Sequence, residues 1–237
     1  MGFRSNITSR KAVLEHQKGN LEAAKVLYEQ AIAQGAIDAA TFIPYASLLT
    51  RVGEYEKAVE YLKKAEKAPG VTPEQKRQIF MHYAAAQYKL GNLDRALEIL
   101  WEIHRKNPTG TIYQTLGYLL VEKGDAETAL AFNKEAVDYD DEDSVALDNL
   151  AQTYYRLLSD KASAKEYFDK AYKIKPTQVD TLYFLAMYDA DDGNLDDARE
   201  KLETAGSGRI SPLNYATKER IAEALAGLSS QRQPTGV

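Results

Sequence analysis

Leu90-Gly91-Asn92-Leu93-Asp94-Arg95-Ala96 carries a glycine, a short polar turn and then an amphipathic run with alanine. The same order recurs at Lys18-Gly19-Asn20-Leu21-Glu22-Ala23-Ala24 and Val52-Gly53-Glu54-Tyr55-Glu56-Lys57-Ala58. It returns at Lys123-Gly124-Asp125-Ala126-Glu127-Thr128-Ala129 and at Asp192-Gly193-Asn194-Leu195-Asp196-Asp197-Ala198. The five glycines are 34, 38, 33 and 69 residues apart. The last gap is twice 34 plus one, so one unit has lost its glycine. Its place is Arg156-Leu157-Leu158-Ser159-Asp160-Lys161, where one extra residue is expected to lengthen the turn.

Outward from each turn, every half-unit has apolar residues at i, i+3, i+4 and i+7, one buried stripe on a helix. Neither helix of a pair is long enough to stand alone in water. Glycine tolerates positive φ at the turn, so the second helix folds back antiparallel on the first. The third unit supplies Phe80, Tyr83, Ala84, Ala96, Leu100, Ile103 and Pro108, and the fourth Tyr113, Leu116, Gly117, Leu120, Ala129 and Ala136. The fifth gives Leu147, Leu150, Ala151, Tyr154, Ala164, Phe168, Ala171 and Pro176. In the first unit Thr8, Lys11 and Glu15 replace the usual apolar residues, which suits a terminal unit with no outer neighbour.

These positions resemble the tetratricopeptide repeat, W-x2-L-G-x2-Y, then A-x3-F, then P, at a period of about 34. The resemblance covers roughly residues 5–212 and implies an all-α chain, a right-handed α-solenoid superhelix of antiparallel helix pairs. The expected division is an extension over 1–4 and six repeats at about 5–38, 39–72, 77–110, 110–143, 144–178 and 179–212. A capping helix over 213–228, opened by Ser211-Pro212, and a disordered tail over 229–237 complete it. Thr72-Pro73-Glu74-Gln75 is a capping box with proline at the first helical position, and it starts the first helix of the third unit.

Composition narrows the function. A net charge of −5 offers no global cationic field for nucleic acid or anionic lipid. No run approaches the ~18 apolar residues of a membrane helix. With no cysteine there are no disulfides or thiolate metal sites. Met1-Gly2 begins like a myristoylation signal, but Asn6 stands where Ser or Thr is wanted. His16, His82 and His104 stand singly, and no Walker loop, HExxH, Gly-x-Ser-x-Gly or dinucleotide fingerprint occurs. Asp189 to Glu200 has the look of a calcium loop, but Gly193 falls fifth instead of sixth. The expectation is a protein that is not an enzyme, with no cofactor and no metal.

The resemblance points to the face of the first helices as a concave binding groove. The residues placed there are Ile43, Met81, His82, Tyr88, Gln114, Tyr118 and Val121, followed by Asn149, Gln152, Tyr155, Tyr183, Phe184 and Met187. Aromatic residues at non-motif positions suit a partner's apolar side chains, and Asn149 and Gln152 suit its backbone. The family's carboxylate clamp needs Lys and Arg at matching positions. Those positions hold Ser9, Val13, Ser47, Met81 and Ala85 in one frame, and Gln114, Tyr118, Asp148 and Tyr183 in later ones. A chaperone-tail adaptor is therefore not expected. The function read here is a scaffold gripping a peptide or helix rich in apolar or aromatic side chains, with no nucleic acid and no membrane insertion by this chain. A cytoplasmic monomer is favoured. The alternatives are a self-associating scaffold, or the soluble part of a membrane-anchored assembly protein whose anchor lies upstream. From Asp138 onward 19 acidic residues face 12 basic ones, and the run Asp138–Asp143 is expected to be a solvated edge. Thr235-Gly236-Val237 loosely fits a PDZ-ligand pattern.

Overall fold

A computed structural model describes residues 3–231. Met1-Gly2 and the end of the expected tail, with Thr235-Gly236-Val237, lie outside the described residues. The described chain is helical and divides into two compact units, 1–107 and 108–237.

The first unit holds three helix pairs. They are α1 (Phe3–Lys18) with α2 (Leu21–Ala33), α3 (Ala39–Arg51) with α4 (Tyr55–Glu66), and α5 (Pro73–Lys89) with α6 (Leu93–Lys106). Its core runs from Ala12, Ala24 and Tyr28 through Phe42, Tyr45 and Leu49 to Ala58, Leu62 and Ile79. The rings of Tyr28, Tyr45 and Tyr61 pack in series at 5.2 and 4.7 Å. The α1 stripe differs from the expected frame: Ser5, Ser9, Ala12 and His16 are the buried residues, while Lys11 is exposed. Small polar groups are tolerated there because they find partners, as when the Ser9 and Thr41 hydroxyls meet at 2.8 Å. At the start of α5 the capping box is formed, Gln75 N–H donating to Thr72 Oγ1 and Thr72 N–H to Gln75 Oε1.

The second unit begins with α7 (Gly110–Lys123) and α8 (Ala126–Tyr139). The next first helix is α9 (Ser144–Gln152), continued by a π-helical turn over Thr153–Leu157, and its partner is α10 (Lys161–Ile174). Then come α11 (Val179–Asp191), α12 (Leu195–Ser207) and α13 (Lys218–Gln231). In α7, Gly117 lies against Asn133 of α8 so closely that an added Cβ would stand 2.1 Å from Asn133 Oδ1. That approach explains why this position has no side chain.

Two expectations are corrected here. The extra residue of the fifth unit sits inside the helix and not in a longer turn. In four other turns the amide after the glycine bonds the carbonyl five residues back, for example Asn92 to Gln87 and Asn194 to Asp189. In the fifth unit Asp160 N–H reaches six back, to Tyr154, and the added residue is taken up as a π turn. Ser159 fills the glycine's place at φ 55°, where the glycines have 81–87°. The second correction concerns the capping helix, which starts at Lys218 and not at residue 213. The amides of Tyr215 and Ala216 are taken by the Asp180 carboxylate, and Ser211–Asn214 form a separate turn. Leu213 thus lies outside the helix, whereas Ile221 and Leu228 bury against Val179, Leu182 and Leu202. The helix runs on to Gln231, three residues past the expected end.

Candidate functional site

The first helices of the second unit carry most of the residues read as groove. Gln114, Tyr118 and Val121 come from α7, and Asn149 and Gln152 from α9. Tyr155 comes from the π turn, and Tyr183, Phe184 and Met187 from α11. The structure separates them into those that face a cavity and those that are filled in by the chain's own side chains.

The filled part centres on Arg156. Its guanidinium donates to Gln152 Oε1 at 3.0 Å, pairs with Glu122 at 2.7 Å and lies 4.1 Å from the Tyr215 ring centroid. Tyr215 in turn stacks on Phe184 at 5.1 Å and meets Tyr183 edge-on at 5.9 Å. Phe184 also stacks on Phe168 at 5.0 Å and is only 2% exposed. Gln152 has no exposed surface, because its amide donates to Asp148 Oδ2 at 2.7 Å while its carbonyl accepts from Arg156. Val121 is buried as well. Gln152, Val121 and Phe184 are therefore packing residues in this structure, and the place read as open to a partner's aromatic group is taken by Tyr215. In the first unit Ile43 is buried, while Met81, His82 and Tyr88 are half-buried. Burial also holds the His82 imidazole below its usual pKa.

The open part is a cavity of about 440 Å3 at the N-terminal ends of α7, α9 and α11. Gln114, Tyr118 and Asn149 meet on its wall. Asn149 Nδ2 donates to the Gln114 carbonyl at 2.8 Å, and Gln114 Nε2 to Asp143 at 2.6 Å, so the amides are held in place by neighbouring repeats. Val145, Val179 and Leu213 give it apolar surface. Lys175 and Arg209, both exposed, stand on its rim. Sequence reasoning missed these five residues. Lys175 and Arg209 lie in connections, where helical periodicity is silent, and Leu213 had been placed in a helix.

Below the cavity lie two buried carboxylates. Asp148 accepts from Thr181 Oγ1 at 2.5 Å and from Gln152, and Asp180 holds the amides of Tyr215 and Ala216 at 3.1 and 2.9 Å. Desolvation raises the pKa of both, and the charge of Asp180 raises Asp148 further. Asp180 is the better placed to stay ionised, since backbone amides, Asn214 and Arg156 all favour its charged form. Of the two, Asp148 is the carboxylate whose protonated form is favoured by burial and by its neighbour's charge. Ser144 and Gln178 are joined across repeats by two hydrogen bonds, at 2.8 and 3.0 Å. This wall is a satisfied polar lattice. It has the chemistry of recognition, with amides, apolar patches and rim cations, and among the described residues no group of His, Asp or Glu is arranged to hold a metal ion. No described helix is long and apolar enough to cross a membrane.

The tetratricopeptide repeat model matches residues 45–69 and 145–178. No curated protein matches the sequence. Among solved structures, a tetratricopeptide repeat protein from Parabacteroides merdae is similar with a TM-score of 0.78 at 16% identity, over 95% of this chain and 84% of that one. PilF of Pseudomonas aeruginosa is similar at TM-score 0.62 and 14% identity, over 96% and 97% of the two chains. YrrB, described as a TPR protein with an unusual peptide-binding site, is similar at TM-score 0.51 and 22% identity, over 74% and 88%. At such identities these likenesses speak for the fold alone. Paired helices on glycine turns, alanines at the close crossings and the two matched segments together show that the chain carries tetratricopeptide repeats at residues 45–69 and 145–178 and that its helix pairs have that repeat's fold.

Proposed function

We propose that this chain is a non-enzymatic scaffold of six repeats that holds a peptide segment of a partner protein in the cavity formed by repeats four to six. The observation that carries the reading is the meeting of Gln114, Tyr118 and Asn149 on one wall beside Val145, Val179 and Leu213. Fixed amides can hold an extended backbone, and the apolar patches accept the aliphatic or aromatic side chain next to it. Within the second unit, Tyr155, Tyr183 and Met187 are half-buried and would extend the contact along the first-helix faces. Lys175 and Arg209 add a preference for a carboxylate flanking the apolar residue. That adds a flanking carboxylate to the ligand rich in apolar or aromatic side chains expected from the sequence.

The test is a displayed-peptide selection on the full chain, followed by affinity measurement on Val145→Asp and Leu213→Asp. Both residues are half-buried, so helicity and melting should hold while the selected peptides lose about tenfold or more in Kd. Peptides that bind both variants as tightly as the parent chain would move the site away from this cavity.

A further inference from the structure

A second cavity, of about 510 Å3, opens among residues 62–107. Its origin is chain length. Helix α5 has 17 residues where α3 and α11 have 13, and six residues, 67–72, lead into it from α4. The longer α5 brings Lys76 and Arg77 to the edge of a trough over its own surface, between α4 and α6. The floor is apolar, made by Leu62, Ile79, Phe80, Tyr83, Ile99 and Ile103. Five cations ring it, Lys63, Lys76, Arg77, Arg95 and Lys106, against two acids, Glu66 and Glu102. Among the described residues Arg77, Arg95 and Lys106 pair only with carboxylates one turn away on their own helices, Glu74, Glu98 and Glu102, and all of these but the half-buried Arg77 are exposed. Such pairs hold weakly and exchange readily for a better anion. Lys63 is exposed and has no ion-pair partner among the described residues.

An occupant of this trough needs an apolar group surrounded by carboxylates, and the chain itself carries one. Asp138-Tyr139-Asp140-Asp141-Glu142 ends α8 and leads to Asp143, the cap of α9. Asp138, Asp140, Asp141 and Glu142 are exposed and have no ion-pair partner among the described residues. Between them Tyr139 is 53% exposed, although its ring packs against Tyr113 at 4.7 Å. The two halves of the chain are charged oppositely. Residues 1–107 hold 16 basic against 12 acidic residues, net +4, and residues 108–237 hold 14 against 23, net −9.

We propose that the trough at residues 62–107 of one copy receives the acidic turn 138–142 of a second copy, with Tyr139 on the apolar floor and the carboxylates facing the cationic rim. The two surfaces differ, so the contact is heterologous, and it closes into a ring or propagates as a chain of copies. It uses none of the residues of the proposed peptide cavity, and it departs from the monomer expected from the sequence.

The experiment is sedimentation of the full chain over a wide range of protein concentration, at low and at high salt. The expected result is a mass that grows with concentration at low salt, with association weakened about tenfold or more at high salt, where exposed charges are screened. Lys63→Glu with Lys106→Glu should abolish it, and so should Asp140→Lys with Glu142→Lys. The chain bearing all four changes should associate again, because the charges are swapped on both sides. All four positions are exposed, so unchanged melting identifies the loss as one of contact. A chain that stays monomeric at every concentration overturns the proposal. So does association indifferent to both charge reversals, or a four-fold variant that fails to regain it while remaining folded.

Discussion

Replacing Gly117 by alanine tests the close crossing of α7 and α8. The new Cβ would stand 2.1 Å from Asn133 Oδ1, 3.2 Å from Asn149 Nδ2 and 3.3 Å from Asn133 Cγ, all of them buried side chains. Asn133 cannot retreat without giving up its bonds to the Gly117 carbonyl at 3.3 Å and to Thr153 Oγ1 at 3.0 Å. Overpacking costs about 1–3 kcal/mol, and leaving the Asn133 amide unpaired costs about 1–3 more. Alanine's better helix propensity offsets roughly 1 kcal/mol. The net expectation is a loss of about 1–5 kcal/mol, centred near 3, read by urea unfolding followed by circular dichroism, or as a fall in Tm of roughly 6–12 °C at the centre of that range. The mechanism has its own check in Asn133→Ala, which removes the obstacle. In that background Gly117→Ala should be neutral or stabilising by up to about 1 kcal/mol. An equal loss in both backgrounds, or none in the parent chain, refutes the steric account.

Ser159 sits at φ 55° where the other turns have glycine, so Ser159→Gly should raise stability by about 1 kcal/mol in thermal unfolding. Gly91→Ala should do the opposite by about the same amount, although nothing lies within 4 Å of its added Cβ, because the backbone at φ 83° is the whole cause. The raised pKa of Asp148 gives a pH signature. Its proton is released from the unfolded chain near the ordinary value of 3.8 and from the folded chain only at higher pH. Stability is therefore fully present below that value and declines as pH rises through the folded pKa. Asp148→Asn should flatten this decline in unfolding curves collected from acid to alkaline pH, and an unchanged slope would assign it elsewhere. Thr72→Ala removes the bond from Gln75 N–H to Thr72 Oγ1 in the capping box and should cost about 1 kcal/mol, visible as faster amide exchange at the start of α5.

The glycine turns, the alanine crossings and the capping box were readable because each depends on a local requirement: a positive φ, a small side chain or an N–H to satisfy. The buried stripe of α1 was not, since Ser5, Ser9 and His16 carry no hydrophobic period and are buried through partners on other helices. The candidate groove was readable only as a face. Helical spacing places Gln152 and Phe184 on the first-helix side, but it says nothing of Arg156 reaching across to Glu122 or of Tyr215 lying on Phe184. Those contacts are long-range, and they turn an apparent binding surface into core. Tyr118, on the cavity wall, is only 5% exposed, so its loss would disturb the fold as well as any ligand. The start of α13 was misplaced for a similar reason: Ser211-Pro212 has the form of a helix opening, but Asp180 claims the next amides.

The π turn at Thr153–Leu157 has a consequence for how such an array changes over time. An added residue in a connection would rotate or displace everything after it. Here the surplus is absorbed within one helix, and α10 and α11 resume with Ala164, Phe168, Ala171 and Leu182 in the core. A tandem array can thus accept a one-residue insertion without breaking phase, provided that one helix can widen locally and one turn residue can accept a left-handed backbone. Deleting a single residue between Thr153 and Leu158 should then be a near-silent edit, whereas the same deletion in α7 or α11 would slide a whole buried stripe out of register.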